Sequence, residues 1–364
     1  MPTRLKQVPE AVIHPALENP HKFENLDALR GIAAIIVVIF HVQQLFGSFV
    51  KHGYLAVDLF FMLSGFVLAF AYQQKLDNGL STITFLKLRL IRLYPLYLIG
   101  LFLGFLFITT HAHLRNSSSN LLNSVYLLLP ALFFLPIPSS TSQIHIAFPY
   151  DHPTWSLFSE LIANLMHALF LRNRSTRILL IPLAIFGAIL CQAAFQAGSL
   201  DFGASNNLFG IKRVLFAYLA GVLLYRLWLA LRHRCNVWFG LPGLLLCALL
   251  ATPSVGSFSA IFDLAAVFLA FPVVVFLAAC SAPSRAFRPI STVLGLASYA
   301  IYVLHKPMER YFSSLWRWLF KQWPTTAAPW SGLIFLTLPV IAAIVLDTVY
   351  DLPVRRWLRD KLIV

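Results

Sequence analysis

The stretch that decides the fold runs from Asn25 to Phe70, NLDALRGIAAIIVVIFHVQQLFGSFVKHGYLAVDLFFMLSGFVLAF. It contains two long apolar runs joined by a short turn near Ser48–His52. Three of its residues are ones that a helix in lipid should avoid, namely Arg30, His41 and Asp58. A charged side chain near the bilayer centre costs roughly 2.5–3.5 kcal/mol on insertion scales. We therefore expect these residues to serve the function or to be paired.

The spacing of the three residues predicts their depth in the membrane. If the two runs are helices packed antiparallel about the turn, the midpoint between His41 and Asp58 falls inside the turn. The two side chains should then lie at similar depth and meet as an imidazole–carboxylate pair. Arg30 precedes His41 by eleven residues, which is roughly 16 Å along an α-helix. Arg30 is expected at one membrane face, and His41 beyond the middle of the bilayer.

The composition is that of an all-α, polytopic membrane protein rather than of two soluble domains. The chain of 364 residues is 59% hydrophobic and 12% charged, with a mean hydropathy of +0.76. Its net charge of +14 comes from short basic clusters between apolar runs, which is typical of cytoplasmic loops and not of a nucleic-acid interface. The four cysteines are widely separated, without the spacing of metal ligands. We expect no metal site.

The positions of the basic clusters predict a bundle of about ten transmembrane helices with both termini in the cytoplasm. One further apolar segment, Leu121–Ile137, is short and contains prolines, so it is expected to be re-entrant or interfacial. Residues 1–24 should form a polar cytoplasmic segment, 25–352 the transmembrane domain, and 353–364 a basic cytoplasmic tail. A basic, aromatic-rich stretch, Lys306–Trp323, resembles an amphipathic helix at the outer interface.

Several motifs occur in an order that resembles the acyltransferase 3 family. They are LDALRGIAAIIVVIFH, GYLAVDLFFMLSGFVLA, and the segments Arg89–Arg92, Trp155–Glu160, Tyr299–His305 and Tyr350–Pro353. The resemblance implies an integral-membrane enzyme that acylates sugars and other surface polymers. It implies acyl-CoA, expected to be acetyl-CoA, as donor on the cytoplasmic side of the inner membrane. The acceptor would be a sugar or polysaccharide on the outer side, and the only other partner expected is membrane lipid.

Three residues are candidates for the chemistry. Transfer to a hydroxyl needs a base that removes the hydroxyl proton, and histidine is the usual choice, so His41 is the first candidate. Asp58 could orient the imidazole; alternatively, the two residues only lock two helices together. Glu160 lies in a polar stripe with Asn164 and His167. It could handle a proton or bind the acceptor, or it could be an interhelical hydrogen-bond clamp.

Three arginines are candidates for binding the donor. Arg89 and Arg92 are spaced so that both lie on one helix face, where two guanidinium groups could bind the phosphates of coenzyme A. For Arg30 the resemblance implies a role in handling the acyl donor. The alternative for all three is that they are ordinary positively charged residues at the cytoplasmic membrane face.

The resemblance also points to a set of substrate-binding residues. Trp155, Ser156, Tyr299 and His305 belong to this set, and the polar stripe that contains Glu160 adds Asn164 to it. Tyr299 and His305 could equally belong to an interfacial aromatic belt with a hydrogen-bonded histidine. Asp351, where the family commonly has glutamate, is given only a structural role.

Two other classes of function fit the composition. A transporter that flips a lipid-linked saccharide would use intramembrane polar residues as a substrate path. It should show symmetry between the halves of the chain, which the sequence lacks. A non-catalytic partner in polysaccharide assembly is the third possibility. The sequence has no P-loop and no nucleophile elbow, so an activated donor must supply the driving force.

Overall fold

The computed structural model describes residues 23–47, 50–114, 118–137, 147–201, 207–231 and 237–363. Within these ranges all regular structure is helical and no strand occurs, which confirms the all-α class. Almost all of the predicted N-terminal segment, residues 1–24, lies outside the described residues, as do Ser48 and Phe49 of the predicted turn.

The helices are labelled here in chain order. They are α1 Glu24–His41, α2 Ala56–Asp77, α3 Thr82–Leu114, α4 Ser118–Leu132, α5 Thr154–Phe170, α6 Thr176–Ala197, α7 Asn207–Leu231, α8 Leu241–Leu250, α9 Ser259–Ala265, α10 Phe271–Ala279, α11 Arg288–Phe320, α12 Trp330–Leu346 and α13 Leu352–Leu362. Two π-helical segments join helices without a break. Ala266–Ala270 connects α9 to α10, and Asp347–Asp351 connects α12 to α13.

Six helical segments of the described chain are long and apolar enough to cross a bilayer, which makes this a multi-pass membrane protein. They are Gly53–Asp77, Thr82–His111, Thr176–Ala197, Gly210–Leu231, Gly256–Ala279 and Trp330–Leu362. Helix α1 is not among them because its 18 residues include Glu24, Asp27 and Arg30, and α5 has only 17 residues. The expected total of about ten spans and the orientation of the termini stay predictions.

Two helix pairs organise the bundle, α1 with α11 and α2 with α7. Both pairs approach closely at glycines. A Cβ at Gly31 would collide with Leu294, and one at Gly295 would lie 2.5 Å from the Cβ of Asp27. A Cβ at Gly221 would collide with the carbonyl oxygen of Met62. Small residues at such crossings allow backbones to pack directly, which is the main source of helix association in lipid.

Helices α11 and α3, which both contribute to the predicted site, are 33 residues long. Helix α11 is described further here because it carries residues of the site along much of its length. Its 33 residues extend about 50 Å at 1.5 Å per residue, more than the roughly 30 Å of hydrocarbon in a bilayer. Most of the stretch expected at the outer interface, Lys306–Phe320, continues α11 past Pro307 without a break. Helix α4 is short, at 15 residues, and exposes Leu122, Tyr126 and Leu129.

Replacing Gly221 by alanine should destabilise the α2–α7 crossing, because a Cβ there meets backbone atoms that cannot move aside. We expect a loss of about 1–3 kcal/mol, seen as a lower midpoint of thermal unfolding in detergent. Gly243→Ala is the control, since the atom nearest to a Cβ there is the end of the Ile32 side chain, at 3.3 Å. Equal midpoints for the two variants would contradict this description of the crossing.

Candidate active site

The predicted pair of His41 and Asp58 is wrong. His41 is the last residue of α1, and its Nδ1 lies 2.8 Å from Nε2 of His305 on α11. The two imidazole rings stack, with centroids 5.0 Å apart and planes inclined by 13°. His305 is fully buried, whereas His41 is partly exposed. The histidine of the first helix is therefore paired with a second histidine and not with a carboxylate.

Asp58 is instead held by Arg213 of α7. Both side chains are almost completely buried, and the guanidinium donates two hydrogen bonds to the carboxylate, at 2.6 and 3.1 Å. Arg213 also donates to the carbonyl oxygen of Tyr54 at 2.9 Å and lies over the ring of Trp155. The prediction failed because equal depth does not fix the direction of a side chain. Asp58 lies in the first turn of α2, a helix whose main packing partner is α7.

A cavity of about 190 Å³ collects most of the predicted binding residues. Its polar lining comes from α1, α2, α3, α5 and α11: Arg30, Ser64, Arg89, Arg92, Ser156, Glu160, Ser298, Tyr299 and Tyr302. Its apolar walls include Phe60, Phe61 and Val67 of α2. The three arginines, Ser156, Glu160 and Tyr299 were all predicted from the sequence, whereas Ser64 and Tyr302 were not chosen.

The arginines of the cavity are held by acids. Arg89 donates to Glu160 at 3.0 Å, and Ser64 donates to the same carboxylate oxygen at 2.7 Å. Arg30 lies 3.5 Å from Asp27, one turn earlier in α1. Glu160 thus positions a guanidinium inside the bundle, where an unpaired carboxylate would be costly.

Arg92 is held more loosely than Arg89. Its Nη1 is 3.9 Å from Asp351, and its guanidinium lies 5.8 Å from the centre of the Tyr299 ring. Tyr299 is fixed by a hydrogen bond of 2.6 Å from its hydroxyl to the carbonyl oxygen of Leu93. The loose contact leaves the Arg92 guanidinium available to an anion in the cavity.

Two hydroxyl groups of the cavity lining form a hydrogen bond with each other. Ser156 at the start of α5 and Tyr302 of α11 lie 2.6 Å apart. His305 follows Tyr302 by one helical turn and accordingly lies on the same side of α11. Neither His41 nor His305 is among the described residues that line the cavity. The histidine pair therefore lies outside the cavity lining, and His305 is one turn of α11 beyond the cavity residue Tyr302.

Two predicted substrate-binding residues lie outside the cavity lining. Trp155 is buried between Phe61 and Arg213. Asn164 is completely buried, and within the described chain neither amide atom has a hydrogen-bond partner. His167, the third residue of the predicted stripe, contacts the hydroxyl of Tyr218 at 2.8 Å. Of this stripe only Glu160 reaches the cavity, since the helix turns the other two residues towards α7 and the bundle interior.

The loop before α5 covers one side of the histidine pair. Arg310 of α11 donates to the carbonyl oxygen of Pro149 at 2.9 Å, which anchors the loop. The ring of His152 stands edge-on to that of His41, with centroids 6.4 Å apart. Burial, together with the nearby charges of Lys306 and Arg310, lowers the pKa of His152 to about 4. The ring beside His41 is therefore neutral at physiological pH.

The described residues contain no group of three or more His, Cys, Asp or Glu side chains placed to hold a metal ion. The polar groups of the site are suited to binding anions and hydroxyl groups, because guanidinium, imidazole and hydroxyl side chains predominate.

Replacing Asp58 by asparagine should destabilise the protein, because it leaves the buried guanidinium of Arg213 without a counter-charge. Removing one partner of a buried ion pair costs about 3–5 kcal/mol, so the thermal midpoint in detergent should fall clearly. Asp360→Asn is the control, since that side chain is 70% exposed. If the two variants unfold at the same temperature, the Asp58–Arg213 pair does not stabilise the bundle.

The chain is similar in sequence to a known protein family and to several known proteins. Residues 23–347 match the acyltransferase domain of the acyltransferase 3 family. Acyltransferase MdmB of Streptomyces mycarofaciens is 27% identical over 376 residues, which cover 93% of this chain and 92% of that protein. "Protein 2 in picA locus" of Rhizobium radiobacter is 40% identical over 188 residues, 49% of this chain and 97% of that protein.

A further relative is the putative membrane-bound transacylase BcsY of Komagataeibacter xylinus. It is 27% identical over 213 residues, 56% of this chain and 51% of that protein. No solved structure matches the chain. The family match extends from the start of α1 to the end of α12. This chain is therefore an acyltransferase and belongs to the acyltransferase 3 family.

Proposed function

We propose that the protein transfers an acyl group, most simply acetyl, from acyl-CoA to a hydroxyl of a sugar or polysaccharide outside the cytoplasm. The proposed location is the bacterial inner membrane, with the donor entering from the cytoplasmic side. One observation carries the proposal: a cavity lined by three arginines is also lined by Tyr302, and one helical turn further along the same helix His305 pairs with His41. The name of one relative, a transacylase, agrees with this chemistry.

The cavity suits the two chemical halves of an acyl-CoA. Arg30, Arg89 and Arg92 provide guanidinium groups, which bind phosphate oxygens through paired, charge-assisted hydrogen bonds. Nε of Arg89 is buried and has no hydrogen-bond partner among the described residues, so it is free for a ligand oxygen. The apolar wall that includes Phe60 and Phe61 is suited to the pantetheine arm and the acyl chain.

The hydrogen bonds of the histidine pair define which nitrogen can act as a base. Nδ1 of His305 lies 2.7 Å from the carbonyl oxygen of Tyr302 and 3.2 Å from that of Ile301. Since carbonyl oxygens only accept, this Nδ1 carries the proton and Nε2 of His305 is an acceptor. His41 must then donate from its own Nδ1, which leaves the lone pair on its Nε2. His41 is thus held in the tautomer that a general base requires.

In the proposed reaction His41 first accepts a proton and later donates it. Nε2 of His41 takes the proton of the acceptor hydroxyl as the oxygen attacks the thioester carbonyl carbon. The carbon–sulfur bond then breaks, and the imidazolium returns the proton to the departing thiolate. His305 keeps the ring oriented and accepts a stronger hydrogen bond while His41 is charged. This role resembles that of the orienting residue in a catalytic triad.

In the proposed reaction the acyl group moves from the cavity past the Ser156–Tyr302 contact to His41. We propose that binding of donor and acceptor opens this hydrogen bond. Ser156 and Tyr302 would then be free to bind the substrate carbonyl or hydroxyl.

Replacing His41 by alanine should abolish acylation while leaving the glycan on the cell surface. Loss of a general base lowers the rate by about 10²- to 10⁴-fold, so mass spectrometry of surface glycans should find the unmodified polymer. A flippase with the same substitution would lose the surface glycan altogether, and that outcome would overturn the proposal. His113, an exposed histidine at the end of α3, provides the control substitution His113→Ala.

The role of His305 predicts a graded series. His305→Ala removes the acceptor that fixes His41, so the acylation rate should fall by about 10-fold or more. His305→Gln places an amide near the position of Nε2 and should restore part of the rate. If the protein is stably folded and glutamine restores nothing, or if alanine costs nothing, His305 does not orient His41.

A further inference from the structure

The C-terminal helix α13 packs against the arginine-bearing helix α3. Lys87 donates to the carbonyl oxygen of Leu362 at 3.2 Å. Helix α13 begins directly after the π-helical segment Asp347–Asp351 and has Pro353 in its first turn. The stretch predicted as a basic tail is therefore a helix that ends beside the same part of α3 that carries Arg89.

One buried carboxylate connects this helix to the cavity. Asp351 is completely buried, and its Oδ2 forms ion pairs with both Arg92 and Arg355. Arg355 makes the closer contact of the two, and its side chain is 15% exposed. Arg92 lines the cavity, so Arg355 lies directly behind a cavity residue. Two guanidinium groups share one carboxylate oxygen, and the buried Asp347 is a second acid close enough to act on both.

The donor groups of these arginines are incompletely used. Nε of Arg355 is buried, and within the described ranges it has no hydrogen-bond partner, like Nε of Arg89. A buried N–H group without an acceptor is costly, and most such groups in native proteins are satisfied by a ligand, water or neighbouring chain. Phosphate oxygens would satisfy guanidinium donors and balance their charge at once.

We propose that Arg355 is a donor-binding residue and that α13 forms one wall of the donor site. In this arrangement Arg92 and Arg355 bind a phosphate group of the acyl-CoA together, and Asp351 holds both guanidinium groups in place. The inference rests on the proposed function and deepens it by adding the C-terminal helix to the donor site. It gives Asp351 a positioning role in addition to its structural one.

The test measures binding of coenzyme A to the purified full chain in nanodiscs of phosphatidylcholine, by calorimetry. Arg355→Gln should raise the Kd for coenzyme A by about 10-fold or more, as expected for loss of a charge-assisted hydrogen bond. Arg356→Gln is the matched control, because Arg356 is the neighbouring residue on the same helix and is exposed. Its Kd should equal that of the unmodified protein.

Two further variants keep the test independent of folding. Arg355→Lys retains the positive charge, so it should fold normally and show an intermediate Kd. In the double variant Asp351→Asn with Arg355→Gln, the carboxylate and the guanidinium are removed together. It should keep its thermal midpoint and still bind coenzyme A weakly. Normal affinity in a stably folded double variant would overturn the proposal.

The source of the phosphate is tested by changing the lipid. If Arg355→Gln weakens binding of the protein to phosphatidylglycerol in the nanodisc but leaves its Kd for coenzyme A unchanged, the site binds a lipid headgroup. The proposal is then wrong. If the unmodified protein binds no coenzyme A at all, the proposed function fails. If it binds and Arg355→Gln binds equally well, only the role of Arg355 is overturned.

Discussion

A charged side chain inside an apolar helical bundle must be neutralised by a partner, and this constraint explains the arrangement of the site. Asp58 and Arg213 form a closed pair, with both side chains buried. Glu160 neutralises Arg89 at the cavity wall. The pair of His41 and His305 satisfies the same constraint differently, because two neutral rings share one hydrogen bond. In this pair Nε2 of His41 stays free to act as a base.

Helix α11 contributes residues to both parts of the site, the arginine-lined cavity and the histidine pair. Tyr299 and Tyr302 line the cavity, and His305 one turn further on contacts His41. Residues spaced by three lie on one face of a helix, so this face leads from the arginines to the proposed base. The glycine contacts between α1 and α11 hold this face against the helix that carries His41. Helix α11 thereby fixes the distance between the cavity that would bind the donor and the histidine that would act as the base.

Much of the site was predictable from the sequence because charged residues in apolar runs are rare and conspicuous. Arg30 and Glu160 were found this way, Arg89 and Arg92 were found from their spacing and the family resemblance, and the structure brings all four to one cavity. The helical class followed from composition alone. The sequence thus identified these four residues of the cavity lining, whereas Trp155, Asn164 and His305 lie outside it.

The partners of these residues were not predictable in the same way. Asp58 was assigned to His41 from depth, but the rotation of α2 about its axis directs it to Arg213. The sequence does contain a signal, since Lys212 and Arg213 interrupt a largely apolar stretch of α7. His305 was chosen as a substrate-binding residue, yet it contacts His41. Pairing across the bundle depends on helix packing, which residue spacing along one chain does not encode.

The most direct test of the central claim is a cryo-electron microscopy structure with a coenzyme A thioether that mimics the acyl donor but cannot react. We predict phosphates at Arg89 and Arg92, an opened Ser156–Tyr302 contact, and an acyl carbonyl separated from Nε2 of His41 by room for one hydroxyl group. An analogue bound elsewhere, or an acyl group on a path that never approaches His41, would contradict the account.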